Sequence, residues 1–361
     1  MKILDKYILK KYFISFIFTL LILIPIAIAI DISEKISRFL DHADLGVAEI
    51  VKNYYLPFII NYGNTFMPLA LFISTILFTS KLASNTEIVA IHSAGISYKR
   101  FIRPYIIGAI TIAVISLVAN HFIVPRTNKT LEAFKEAYLR KTKHTKNNVA
   151  KVNLQLTDSD FIYFKNFNLV RNTGYGFSYE HFEGLKLKYK ILGKNIKWNK
   201  KDSTYTITNY KKRKLYAQID SIKMGRKLDT VFNFLPKDLL YVDYLAKEMQ
   251  SPKLMEHIKI SEKRGVKNLN KYKVELYERT SLPISSIVLT LIAVSLAARK
   301  RRGGIGLNLA VGVSLMFIYV FFMKVAKVLG AGATYNPLLM MWLPNTIFGF
   351  LAIYLYGKAK Q

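Results

Sequence analysis

Six apolar runs set what this chain can fold into: residues 13–30, 54–78, 105–124, 282–298, 305–323 and 337–356. Each is long enough, or nearly so, to cross a hydrocarbon layer of about 30 Å as a helix. Three runs lie at each end of the 361 residues, and the polar stretch between them, from about Pro125 to Thr280, is large enough for one folded domain. The expected fold is an α-helical membrane protein with six transmembrane helices in a 3+3 arrangement. Residues 1–124 hold spans one to three, 125–280 the inserted domain, and 281–361 spans four to six. With 52% apolar residues and a positive mean hydropathy, the chain is too apolar for a water-soluble protein of its charge. The first run reads as a retained span: Lys2, Lys6, Lys10 and Lys11 precede it, and no small-residue cleavage pattern follows Ile30.

Orientation follows from the short loops, because Lys and Arg beside a span resist translocation. Besides the four N-terminal lysines, Lys81, Lys99, Arg100 and Arg103 flank the loop between spans two and three, and Arg299, Lys300, Arg301 and Arg302 join spans four and five. These predict cytoplasmic loops and cytoplasmic termini. The first loop is acidic, with Asp31, Glu34, Asp41, Asp44 and Glu49 against Lys35, Arg38 and Lys52, and goes outside together with the large domain. Much of the net charge of +30 sits in that domain, for example at Lys186, Lys188, Lys190, Lys194, Lys197, Lys200, Lys201 and the run 211–214. Nucleic acid is not normally found there. The charge reads as a solvated surface, with affinity for an anionic lipid or phosphate-bearing glycolipid as the functional alternative. Cysteine is absent, so the outside domain holds together without disulfides.

Along the chain, Asp31, Glu34, Lys35 and Arg38 fall at helical spacing, which carries the first helix a turn or two beyond the hydrocarbon. Lys35 and Arg38 then either anchor at the interface or meet lipid phosphates. The second span holds Pro57, Pro68, Asn61 and Asn64, a set tolerated in lipid where neighbouring helices satisfy the polar groups. The third ends at Asn120 and His121, with Pro125 marking its exit. Lys324 and Lys327 stand at i, i+3 on the outer rim of span five, where they snorkel or meet phosphate. Span six carries Pro344 and Asn345.

The inserted domain changes period. After a helix-like stretch at 131–139, runs at 152–157, 161–167, 174–182, 185–191, 196–199, 204–210, 214–219 and 231–234 alternate with period two. Turn formers at 158–160, Gly174, 193–195 and 201–203 separate them. This predicts an all-β, antiparallel, jelly-roll-like domain that docks or binds, in which Asp158, Asp160, His181, Asp202 and Asp220 are structural. From Pro236 to Arg279 the pattern returns to helix.

No phosphate loop, HExxH, GxSxG or metal-ligand spacing is present, and the six runs carry no Asp or Glu for a proton relay. No catalytic or metal-binding residue is expected, and the energy for any transport comes from a partner. Its docking point is the polar interlude Lys81 to Arg100. There Ser84 and Glu87 have capping-box spacing, Ile88 and Ile91 share a face, and Gly95 stops a two-turn helix lying within 84–95. An ordinary loop helix lying on the bilayer is the alternative.

Three segments carry a resemblance. They are LDKYILK at 4–10, FMPLALFISTILFTSKLASNTEIVAIHSAGIS at 66–97 and GVSLMFIYVFFMKVAKVLGAGATYNPLLMMWLPN at 312–345. With the divided six-span layout they resemble the lipopolysaccharide export permeases LptF and LptG over nearly the whole chain, the start and length being more similar to LptG. The resemblance implies a permease subunit of an ABC transporter in the bacterial inner membrane that binds no cofactor itself, ATP being used by an LptB-like ATPase dimer. Glu87, with Ile88, Ile91 and Gly95 around it, would form the coupling helix. Spans one and five would form lateral gates for lipopolysaccharide, with Phe66, Phe321 and Phe322 on acyl chains and Lys35, Arg38, Lys324 and Lys327 on phosphates. A second, LptF-like permease and an LptC-like periplasmic protein would complete the path towards the outer membrane. Where some family members place a basic residue at the end of span one this chain has Asp31, which moves phosphate contact to Lys35 or Arg38. Two other classes remain: a membrane-anchored envelope scaffold or mechanical transmitter that passes no lipid, and, ranked lowest, a membrane-embedded hydrolase.

Overall fold

The computed structural model describes residues 3–42, 45–139, 148–157, 159–200, 202–215, 220–232, 234, 236, 243–263, 269–299, 304–332 and 334–360. The readings made above for Lys2, Asp44, Asp158, Lys201, residues 216–219, Asn233 and the basic turn Lys300, Arg301 and Arg302 lie outside them. The chain divides into two units: Met1–Leu139 with Ala246–Ser251 and Asn270–Gln361, and Arg140–Leu245 with Pro252–Leu269.

Six helices of the first unit are long and apolar enough to cross a membrane. Helix α1 (Ile3–Leu40) runs unbroken through Pro25 and ten residues beyond Ile30. A second rod, Val47–Ser84, joins α2 (Val47–Ile50), a π-helical turn (Val51–Tyr55) and α3 (Leu56–Ser84). After the short α4 (Glu87–Ser93), a third rod, Tyr98–Leu139, joins α5 (Tyr98–Val118), a π-helical turn (Ala119–Ile123), α6 (Val124–Phe134) and a last π turn (Lys135–Leu139).

Pro125 does not end the third helical rod. It sits in the first turn of α6 directly after the π turn, whose extra residue makes room for the ring and for the missing N–H. The boundary expected at 124/125 therefore falls inside a helix. So does the one at 280/281: after α7 (Asp243–Glu248) and α8 (Ser251–Lys263), α9 (Leu269–Ala297) is continuous through it. Helices α10 (Gly304–Ala331) and α11 (Pro337–Lys360) close the chain.

Helix α3 is the axle of this unit, with α1, α5 and α10 packed on it. Lipid offers helices no hydrophobic reason to associate, so small residues and polar pairs hold them together. Asn64 donates to Asn120 at 2.7 Å and accepts from Ser116 at 2.9 Å, which joins the second rod to the third. Asn308 donates to Ser80 at 3.1 Å, joining α10 to α3. Asn345 donates to the Ser281 carbonyl at 2.8 Å and accepts from Tyr319 at 2.9 Å, tying α9, α10 and α11 together. The amides read from spans two and six thus face other helices.

The second unit is built on a six-stranded antiparallel sheet whose strand order follows the chain: β1 (Asn148–Gln155), β2 (Asp160–Asn168), β3 (Thr173–Glu183), β4 (Lys186–Asn199), β5 (Thr204–Leu215) and β6 (Asp220–Thr230). One face is buried around Ile162, Phe164, Phe177, Tyr179, Ile191, Ile196, Tyr205 and Ile207. The expected turn at 193–195 is instead mid-strand. Gly193 pairs with Tyr210, which pairs with Gly225 on its other side, and a Cβ on Gly193 would collide with Ile207. Glycine is there to admit large neighbours, so runs 185–191 and 196–199 form one strand. Gly174 is likewise inside β3, roofed by Phe164 and Ile196. The described residues of the run 231–234 are not in a strand: Phe232 and Phe234 cover the sheet's buried face, and Tyr205 Oη donates to the Phe234 carbonyl at 3.0 Å.

Asp160 accepts from Tyr179 Oη at 2.6 Å and pairs with His181 at 2.6 Å, and Arg213 pairs with Asp220. Burial pushes the Asp160 carboxyl up, but bonds from Tyr179, His181 and Thr157 outweigh it and leave its pKa lowered.

Candidate functional site: a tethered surface helix and two exposed faces

The chain between α3 and α5 folds into a single short helix because both of its ends are marked. Thr86, at φ +62°, turns the backbone out of α3 so that Glu87 opens α4 in its first turn. The capping box expected from Ser84 does not form, since Ser84 is the last residue of α3 and no side chain caps α4. At the other end Gly95 adopts φ +78°, its N–H bonds the His92 carbonyl at 2.9 Å, and Ile96 bonds the Ile91 carbonyl at 3.4 Å. This paired closure is the Schellman stop that the sequence predicts.

Glu87 does not point freely outwards. Its Oε2 accepts from Tyr7 Oη at 2.7 Å, its Oε1 lies 3.4 Å from Asn85 Nδ2 and 3.9 Å from Lys11 Nζ, and Lys11 also sits over the Tyr7 ring. The Tyr7 hydrogen bond is the largest influence on its carboxyl and lowers the pKa; burial opposes this, and Asn85 and Lys11 reinforce it. Close by, Arg100 at the start of α5 grips Asp5 of α1 with two bonds, of 2.6 and 2.8 Å. Asp5 is buried, so this is a forked ion pair closed off from solvent on one side.

The motif LDKYILK thus supplies Asp5 and Tyr7 to two different elements. Sequence reasoning missed both residues as well as Arg100; an acid placed among lysines in a first helical turn is the signal that pointed to them. Ile88 is buried and Ile91 half-buried against Ile8, Leu82, Tyr98 and Phe101, so the apolar face of α4 is turned into the protein. The outward face consists of Val89, Ala90, His92 and Ser93.

The residues expected to meet lipid do not form one cluster. Lys35 pairs with the buried Asp31 and donates to Tyr54 Oη at 2.6 Å; Tyr54 in turn bonds Asp31 at 2.9 Å. Asp31 therefore holds Lys35 from within the chain. Arg38 donates to the Leu139 carbonyl at 3.3 Å. Phe66 is half-buried beside Tyr62, whose ring stacks on Phe58.

On α10, Phe321 and Phe322 are exposed with Phe317, Val325 and Val328, and Lys324 is exposed beside them. Lys327 instead turns to Glu278 of α9 and forms an ion pair. The helices also carry carboxylates beyond the six apolar runs, among them Asp31, Glu275 and Glu278. They are engaged at the helix ends, Glu275 with Arg279, which also donates to the carbonyls of Ala246 and Met249.

The lipopolysaccharide export system permease family LptF/LptG matches this chain over residues 6–358. The chain belongs to the LptF/LptG family. No individual curated protein matches it. The family assigns a membrane permease of the lipopolysaccharide export system, not itself an enzyme, and accords with six membrane helices split by an antiparallel β domain. LptF and LptG are not told apart by the match.

Proposed function

We propose that this chain is one of two permease subunits of an ATP-driven transporter that lifts lipopolysaccharide out of the inner membrane. The observation that carries the reading is α4, a rigid helix with two marked ends whose Glu87 is tethered to α1 and whose outer face is free to dock. An LptB-like ATPase dimer would receive Val89, Ala90, Ser93 and the rim of Glu87. Ile88, Ile91 and Gly95 hold the helix in shape and transmit its movement to α1, α3 and α5. The basic loops support a cytoplasmic position for this end and both termini. The β domain is then periplasmic and passes cargo to an LptC-like partner and the bridge beyond it.

Helices α1 and α10 both pack on α3 and leave apolar faces outward, which a second, LptF-like permease would turn into the walls of a cavity. Acyl chains would lie along Phe66, Phe321 and Phe322, each buried methylene favouring the cavity over water by up to about 0.8 kcal/mol. Lys324 and Arg38 would meet phosphates directly. Lys35 and Lys327 would do so after release from Asp31 and Glu278.

The test is affinity purification in mild detergent with mass spectrometry of proteins and lipids, on the wild type and on Glu87→Ala. The wild type is expected with a P-loop ATPase, a second six-span permease and a phosphorylated glycolipid, and Glu87→Ala with at least about tenfold less ATPase, at unchanged membrane level. Envelope enzymes alone, without ATPase or glycolipid, would establish the scaffold in place of the transporter.

A further inference from the structure

At the end of the helical unit that carries α4, a cavity of about 660 Å³ opens between α5, α9 and α11. This is within the rough range of 300–1,000 Å³ typical of small-ligand and cofactor sites. Its wall is apolar, with Ile107 of α5, Leu291 of α9 and Tyr356 of α11. Its rim is cationic, with Lys99, Arg100 and Arg103. Arg100 is committed to Asp5 by both of its bonds. Lys99 and Arg103 are exposed and stand at i, i+4 on one face of α5.

Two like charges at that spacing repel each other and weaken a helix, and an anion between them removes the repulsion. They also lie in the first two turns of a long helix, at the positive end of its dipole, after the Ser97 N-cap. A free anion would use the rim and leave the apolar wall wet. A neutral apolar molecule would use the wall and leave the cations unanswered.

We propose that this cavity is a binding site for an anionic glycerophospholipid of the surrounding leaflet. Its phosphate bridges Lys99 and Arg103, and one acyl chain lies against Ile107, Leu291 and Tyr356. Basic pockets between membrane helices on the cytoplasmic side suit such headgroups. Neither Phe66 nor any residue of α10 lines the cavity, so the lipid is a resident of the fold and not the exported cargo. The choice of leaflet rests on the orientation proposed above; the lipid chemistry does not.

The test uses the full chain in nanodiscs of mixed phosphatidylglycerol and phosphatidylcholine, with lipids counted by native mass spectrometry. The wild type is expected to retain phosphatidylglycerol about tenfold in preference to phosphatidylcholine. The double variant Lys99→Glu/Arg103→Glu is expected to lose that preference. Reversal of two exposed lysines elsewhere on the same end, Lys6→Glu/Lys10→Glu, is expected to keep it. Ile107→Trp, which fills the cavity, should reduce retention while leaving the rim intact.

The proposal falls if the Lys99/Arg103 variant keeps the preference, if the Lys6/Lys10 variant loses it equally, if Ile107→Trp changes nothing, or if excess inorganic phosphate displaces the lipid. Because the chain has no cysteine, Lys99→Cys gives a single site for a membrane-impermeant maleimide. Labelling from the cytoplasm places the lipid in the inner leaflet. Labelling from outside overturns that leaflet and the orientation, and the lipid counts then stand by themselves.

Discussion

Helices α1 and α10 differ from α3 and α9 in a way opposite to a water-soluble core. The most apolar stretch of the six lies in α1, yet 11% of it is buried within the protein, and for α10 the share is 22%. The corresponding stretches of the α3 rod and of α9 are 67% buried and less apolar. The reason is the solvent. In lipid an apolar helix gains nothing by leaving the solvent, whereas a helix bearing Thr79, Ser80, Ser285 and Thr290 gains close packing and hydrogen bonds by turning inward. Helices α3 and α9 are the frame; α1 and α10 present faces that remain open to lipid, to cargo or to a second subunit.

The sharpest way to break this contrast is to crowd the frame. A Cβ on Gly312 would run into Ile76 of α3, so Gly312→Leu should force α10 off α3 and destabilise the unit by about 3 kcal/mol or more, measured by thermal unfolding in detergent. A Gly312→Leu protein as stable as wild type would mean that α10 packs elsewhere.

Removing a polar link should cost less. Asn64→Leu leaves Asn120 and Ser116 without their shared partner, and a loss of about 1–2 kcal/mol is expected on the same measurement. On the open face, Phe321→Ala should change stability by no more than about 0.5 kcal/mol while lowering glycolipid recovered with the protein. A large loss of stability from Phe321→Ala would move α10 from the open face to the frame.

The smallest expected effect concerns how α1, so little buried along its apolar stretch, is held by polar tethers at its start. The Glu87 carboxyl, held low by Tyr7, contributes fully above the ordinary carboxylate range of about 4 and loses its contribution as the pH falls through its lowered folded value. The stability difference between wild type and Glu87→Gln should therefore shrink as the pH is taken from neutral to below 4, roughly. A difference that grows on acidification would rule out the tether.

The sequence was most legible where one period governs a whole element. The six apolar runs became six membrane helices, and alternation in 161–167 and 204–210 became β2 and β5, because burial of one stripe or one face needs nothing from distant residues. Gly95 was legible for a similar reason, since the stop it makes is built within residues 91–96.

The misreadings share another cause. Gly193 looks like a turn until Ile207 and Tyr210 are placed beside it. Strand β6 is almost wholly exposed, so no alternation announces it, and it exists because β5 offers it an edge. Ser84 and Glu87 have the spacing of a cap, but α3 continues through Ser84. In the candidate site, Lys35 and Lys327 look like open cations in sequence; Asp31 with Tyr54, and Glu278 across a helix boundary, take them up.

The sequence by itself determined the number of membrane helices, their grouping around a β insertion and the presence of a short helix within 84–95, because hydropathy, period and a glycine stop act locally. Only the tertiary structure decided which helices are frame and which are open, that Glu87 answers to Tyr7 and Arg100 to Asp5, and that a cationic rim at Lys99 and Arg103 stands over an apolar cavity. Those facts depend on side chains separated by scores of residues meeting within a few ångströms, and no local period encodes such a meeting.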